Sequence, residues 1–278
     1  MDSTTKNNTL TRQLKEKNIR YQLTQFCGAL SMLNTYTKDT GNVEIKYGQA
    51  EDFTEIAEKY HLKDNIDNTS TFAKCVSLMN YQTAHMLHNG GYDNHITDIP
   101  GILEYAWDNN IEKSVNCLHL ARVLRTFIQS QGIKARIVAL FPLTPYEQDN
   151  HVVLEAWIEE QHKWVMFDPS YNTYLTDEAG TPLNLAELRT TLGNQQKIIF
   201  APKTAHNKIE KDPISIKHYY AKDCFFFIIS DNQTEKEQKK VHNIIIAPDG
   251  FDYEKYASIR KFYPRPTIHK PLSFVNEP

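Results

Sequence analysis

Long apolar runs are missing from this 278-residue chain. The longest, residues 224–229, falls far below the ~18–20 residues that span a bilayer, so no membrane partner is expected. An excess of one charge is missing too. With 31 Lys and Arg against 34 Asp and Glu the formal charge is −3, which excludes the basic footprint of a general nucleic-acid binder. The four cysteines, Cys27, Cys75, Cys117 and Cys224, contain no C-x-x-C pair and read as free thiols. Glycine is sparse at 10 residues, whereas Tyr and Phe number 15 and 13 and hydrophobic residues make up 40%, a globular composition rather than a disordered one. The residues after Met1 carry neither a basic nor an apolar signal region, so the cytoplasm is the expected compartment.

Residues 1–20 are polar and are expected to fray. Apolar residues then recur at helical spacing over 53–62 and 71–88, the second stretch ending at Asn89-Gly90-Gly91. A short helix is predicted after Asp98, with Pro100 in its first turn. From 116 the pattern sharpens. Asn116 can cap a helix on which Cys117, Leu120, Ala121, Leu124 and Ile128 share a face before Gly132 closes it. Strands are predicted over 133–141, 151–158 and 163–168, the last stopping at Pro169. A short helix over 183–192 follows, then a polar loop over 193–212. Strands over 224–229 and 241–247 form a hairpin, and an amphipathic stretch over 253–262 ends near Pro264. The expected organisation is an N-terminal helical or irregular extension over 1–70, a catalytic core over 71–199, and a C-terminal β-hairpin extension over 200–278 packed on that core, because so small a tail buries too little area to stand alone.

A symmetric turn centred between Glu159 and Glu160 would set His151 opposite Asp168, Val153 opposite Met166 and Glu155 opposite Trp164. Opposed Cβ atoms lie about 4.5–5.5 Å apart, close enough for an imidazole to bond a carboxylate. A thiol at a helix N-terminus completes the set, since the macrodipole and a nearby imidazolium both favour thiolate. Cys117 would be the nucleophile, His151 the proton carrier and Asp168 the residue that fixes the ring. Taken singly, each has a plainer reading: a buried thiol, a strand-end histidine, a turn-forming aspartate. The joint pattern favours catalysis.

Three blocks, Asn116-Cys117-Leu118-His119-Leu120-Ala121 running on to Gly132-Ile133-Lys134-Ala135-Arg136, then His151 to Glu155, then Trp164 to Pro169, resemble the signature of the transglutaminase-like superfamily. The order Cys, His, Asp agrees. The resemblance implies an α+β fold with a papain-like core, in which a helix bearing the cysteine at its N-terminus packs on an antiparallel sheet. It also implies acyl transfer through a thioester, ending in attack by water or an amine on a peptide, protein or small amide substrate. Cross-linking members carry Gly-Gln-Cys-Trp where this chain has Val115-Asn116-Cys117-Leu118, so hydrolysis of an amide or peptide bond is expected, closest in kind to bacterial members. Amide formation with an amine acceptor and a non-catalytic binding module are the alternatives.

The Cys117 backbone N–H is one candidate oxyanion donor on this reading, and Tyr81, Gln82 and then Trp107 are the candidates for the second, each with packing or surface exposure as its plainer reading. Glu155 is expected to pair with Arg136. His85, His88 and His95 lack a carboxylate or thiol at ligand spacing, so no metal or other cofactor is expected.

Overall fold

In the computed structural model, residues 3–91, 95–201, 213–236, 240–262 and 264–276 are described. Helix α1 (Ser3–Met32) opens the chain. The polar segment expected to fray is therefore helical, and the helix is anchored farther on, where Cys27 and Leu30 are buried and Leu23 and Phe26 pack beside them. After β1 (Lys46–Tyr47) come α2 (Thr54–Lys59), α3 (Thr71–His85), α4 (Ile99–Ala106) and α5 (Cys117–Gln129). Their starts follow the sequence closely: Ser70, Asp98 and Asn116 cap α3, α4 and α5 with their side chains.

Strands β2 (Ala135–Phe141), β3 (His151–Ile158), β4 (Lys163–Asp168), β5 (Thr173–Thr176) and β6 (Ile199–Ala201) run antiparallel to their neighbours, with α6 (Leu185–Gly193) between the last two. Then come α7 (Pro213–Asp223), β7 (Phe226–Ser230), β8 (Asn232–Gln233), β9 (Asn243–Ile246), α8 (Tyr253–Arg260) and β10 (Thr267–His269). One eight-stranded sheet results, ordered β10-β9-β7-β2-β3-β4-β5-β6 and antiparallel except where β10 joins β9. The fold is α+β, with the Cys117 helix packed on a largely antiparallel sheet. No helix among the described residues is long and apolar enough to cross a membrane.

Strand alternation divides the core between the two faces of the sheet. Leu154, Ala156, Val165 and Phe167 pack with α3, α4 and α5, whereas Val138, Leu140, Val153, Met166, Phe227, Ile229, Ile244 and Ile246 pack with α1, α6 and α7. The second face also holds a buried ion pair. Arg136 bonds Glu155 Oε2 through Nε at 3.0 Å and Nη2 at 2.8 Å, and its guanidinium lies 4.1 Å from the Trp164 ring centroid.

The β3–β4 register corrects the expected one. Ile158 pairs with Lys163 and Glu155 with Met166, so the turn is four residues long and displaced by one position from the symmetric arrangement. A two-residue turn at Glu159-Glu160 would need positive φ at one or both glutamates. Instead Glu159–Gln161 form a 3₁₀ turn, and His162 alone takes the left-handed conformation at φ 47°. Each partner moves by two residues, which preserves the face. His151 thus sits diagonal to Asp168 rather than opposite it.

Candidate active site

Three chain segments converge where β3 begins and α5 starts. Asn116 Oδ1 accepts from His119 N at 3.1 Å, which fixes the first turn of α5 and sets Cys117 at its positive end. Just upstream, Val115 N donates to Leu87 O and Asn89 N donates to Val115 O, a short parallel bridge that brings His88 to the thiol. His151 is the first residue of β3 and Asp168 the last of β4, so both stand at the same end of the sheet as Cys117.

His151 Nε2 lies 2.5 Å from Asp168 Oδ2, with His151 1% exposed and Asp168 fully buried. The same oxygen accepts the Tyr220 hydroxyl at 2.5 Å, and Oδ1 accepts Ser170 N at 2.9 Å. Every lone pair that matters for orientation is therefore used. The engaged Nε2 leaves Nδ1 as the ring nitrogen available to Cys117. Tyr219 and Tyr171 wall the imidazole, their centroids 5.2 and 5.9 Å away. Cys117 is less enclosed than its partners and keeps some exposure.

Charge is distributed accordingly. Burial would raise the Cys117 pKa, but the His151 and His88 imidazoles beside the sulfur outweigh it and pull the thiol down to about 6. Burial also disfavours an imidazolium at His151, yet the Asp168 carboxylate and the thiolate hold that ring well above its ordinary value. At Asp168 the burial cost is overcome by His151, Tyr220 and the Ser170 N–H, so its pKa is depressed. A thiolate–imidazolium pair is the form these shifts favour at neutral pH. The other cysteines are the opposite case, buried thiols pushed above the ordinary range by desolvation.

Of the three expected oxyanion donors, two are bonded to other acceptors. Tyr81 donates its hydroxyl to Tyr60 O at 3.1 Å, and Gln82 donates Nε2 to Leu120 O at 2.8 Å, tying α3 to α5. Trp107 stacks among Tyr60, Tyr81, His85 and Phe127. Tyr81 and Gln82 lie on α3 and Trp107 closes α4, where Tyr81 and Trp107 pack against the helical core beneath the site. Glu155 pairs with Arg136 and accepts Leu185 N at 3.0 Å, away from the chemistry. Of the histidines considered for a metal, His85 lies against Trp107 and His88 faces Cys117; no metal-binding group of three or more His, Cys, Asp or Glu occurs among the described residues.

Sequence reasoning missed Tyr219, Tyr220 and Asp223, all on α7. That helix has polar Lys217, His218 and Lys222 interrupting any apolar stripe, so no periodic signal marks it. Tyr171, three residues beyond Asp168, and His88, seen only as a possible ligand, were also missed.

Residues 60–169 match the family model of the transglutaminase-like superfamily. That segment carries Cys117, His151 and Asp168, the helix that bears the thiol and the three central strands. No curated protein matches the chain. A crystal structure from Cytophaga hutchinsonii, described as a candidate cysteine protease, aligns at 18% identity with 50% of this chain and 43% of its own, with a TM-score of 0.34. At that TM-score the likeness carries no argument about what this chain does.

Proposed function

We propose that this transglutaminase-like chain is a cysteine-dependent acyl-transfer enzyme that works through a thioester and hydrolyses an amide or peptide bond. The observation that carries the reading is the preformed Cys117–His151 pair, with Asp168 bonded to the far side of the ring. Thiolate attack on a carbonyl carbon forms the C–S bond and moves the C=O electron pair onto oxygen. When the C–N bond breaks, His151 Nδ1 gives its proton to the departing amine. The neutral ring then takes a proton from water as the hydroxyl attacks the thioester, and collapse releases the acid and the Cys117 thiolate. Asp168 keeps the ring oriented and stabilises its charged form throughout. Peptides, proteins and small amides are the substrate class that fits this chemistry.

Mass spectrometry of a peptide library incubated with the protein, with and without a primary amine, tests the proposal. Cleavage or deamidation by wild type and none by Cys117→Ala is the expected result. Amine incorporation in place of hydrolysis would replace it with transamidation, and an unchanged library would overturn it.

A further inference from the structure

His88 Nε2 is sealed from solvent and has no hydrogen-bond partner among the described residues. A buried polar nitrogen left unpaired costs on the order of 1–3 kcal/mol, and such a group is tolerated where a ligand later completes it. This ring is held in place. Its backbone is fixed by the bridge to Val115, two residues before the nucleophile, and its ring centroid lies 6.1 Å from that of Tyr171. His151 is bonded through Nε2 to Asp168, whereas the His88 bridge to Val115 holds the second imidazole beside the start of α5.

Next to it, the start of α5 holds unused donors. Asn116 Oδ1 takes His119 N and Asn116 O takes Leu120 N, so the N–H groups of Cys117 and Leu118 have no acceptor within the helix. A carbonyl carbon attacked by Cys117 places its oxygen between these amides and whatever donor flanks the sulfur. The expected side-chain donors Tyr81 and Gln82 are already spent on Tyr60 O and Leu120 O.

We propose that His88 is a catalytic residue whose Nε2–H, together with the Cys117 backbone N–H, forms the oxyanion hole. The assignment rests on the cysteine-enzyme reading and names the donor missing from it. In the tetrahedral intermediate the C=O electron pair resides on oxygen, and the orphaned nitrogen gains the acceptor it lacks in the free protein. The His88 proton is shared in that bond and returns to the ring when the oxyanion collapses, so no net proton transfer passes through His88.

Two reagents that attack the same thiolate separate this role from simple activation of the sulfur. Iodoacetamide alkylates Cys117 by displacing iodide, with no oxyanion. p-Nitrophenyl acetate acetylates Cys117 through a tetrahedral oxyanion and releases p-nitrophenolate, read as a single-turnover burst. The ratio of acetylation to alkylation rates cancels the thiolate fraction. For His88→Ala the ratio is expected to fall about 10²-fold, the usual loss for one oxyanion donor. His88→Gln, which restores an N–H donor of similar reach, is expected to recover most of it. Alkylation kinetics report at the same time that the variants are folded around the thiol. Equal loss in both rates, or an unchanged ratio, overturns the assignment. Rapid alkylation of wild type without any acetyl burst overturns it as well. Wild-type Cys117 that alkylates no faster than an ordinary thiol overturns the enzyme reading itself, and the assignment with it.

Discussion

Tyr220 donates its hydroxyl to Asp168 Oδ2, the oxygen that also holds His151. The bond crosses from α7 to the end of β4 and ties a helix outside the matched segment to the Asp168 carboxylate. Tyr220→Phe removes one of the contacts that depress the Asp168 pKa. A depressed carboxylate contributes stability above its unfolded pKa that is lost as pH falls through the folded value. The variant is therefore expected to lose about 1.5–3 kcal/mol at pH 7, the range for a hydrogen bond to a charged group, and less at an acid pH where the carboxylate is protonated. Urea denaturation at the two pH values measures the difference, and an equal loss at both would separate Tyr220 from the carboxylate's charge.

Cys117 should react with iodoacetamide along a curve that rises through about pH 6, where its thiol ionises. At pH 7 the label should sit on Cys117, with Cys27, Cys75 and Cys224 unmodified in the folded protein. His151→Ala should move the midpoint upward by removing the larger of the two histidine contributions. Peptide mapping of labelled protein gives the result directly, and uniform labelling of all four cysteines contradicts the electrostatics.

Asp168→Asn should fold, because an amide can accept from His151 or Ser170, yet turnover should fall by about 10²–10⁴-fold because the imidazolium loses its counter-charge and the tautomer is no longer fixed. Steady-state kinetics on whichever peptide the library yields measures this. Unchanged turnover would take Asp168 out of the mechanism.

Arg136→Met leaves Glu155 buried opposite an apolar side chain and also frees Val275 O. Breaking a buried pair from one side costs about 3–5 kcal/mol, whereas replacing both partners is often close to neutral. The double variant Arg136→Met/Glu155→Leu should therefore be more stable than Arg136→Met alone in thermal melts. If it is less stable, Glu155 is held mainly by its bond to Leu185 N.

Asp223 is fully buried, and neither carboxylate oxygen has a hydrogen-bond partner among the described residues; its cation, Lys222 Nζ, stays 3.7 Å away. Burial, helped by nearby Asp149 and opposed by Lys222, raises its pKa to about 7. A carboxyl whose folded pKa exceeds its unfolded value of ~3.9 binds its proton more tightly when folded, so stability falls as pH rises from about 4 to 7. Asp223→Asn should stabilise the protein at pH 8 by on the order of 2–4 kcal/mol and leave it nearly unchanged at pH 4. Melting curves at both values decide it, and a destabilised variant at pH 8 would mean that the charge is needed.

The clustering of Cys117, His151 and Asp168 was legible because its rules are local. Asn116 caps a helix by a bond three residues long, strand alternation fixes which face His151 and Asp168 share, and an error of two in register leaves that face unchanged. What the sequence could not determine depends on partners far along the chain. α7 shows no apolar stripe because it fits between α1 and the polar wall of the site, so Tyr219 and Tyr220 reach His151 and Asp168 only once the sheet is assembled. Tyr81, Gln82 and Trp107 look available in the sequence and are claimed by packing, since a donor's acceptor is a tertiary neighbour. His88 is the reverse case. Nothing in its local sequence marks it, and a bridge to Val115 across the intervening α4 is what carries its ring to Cys117.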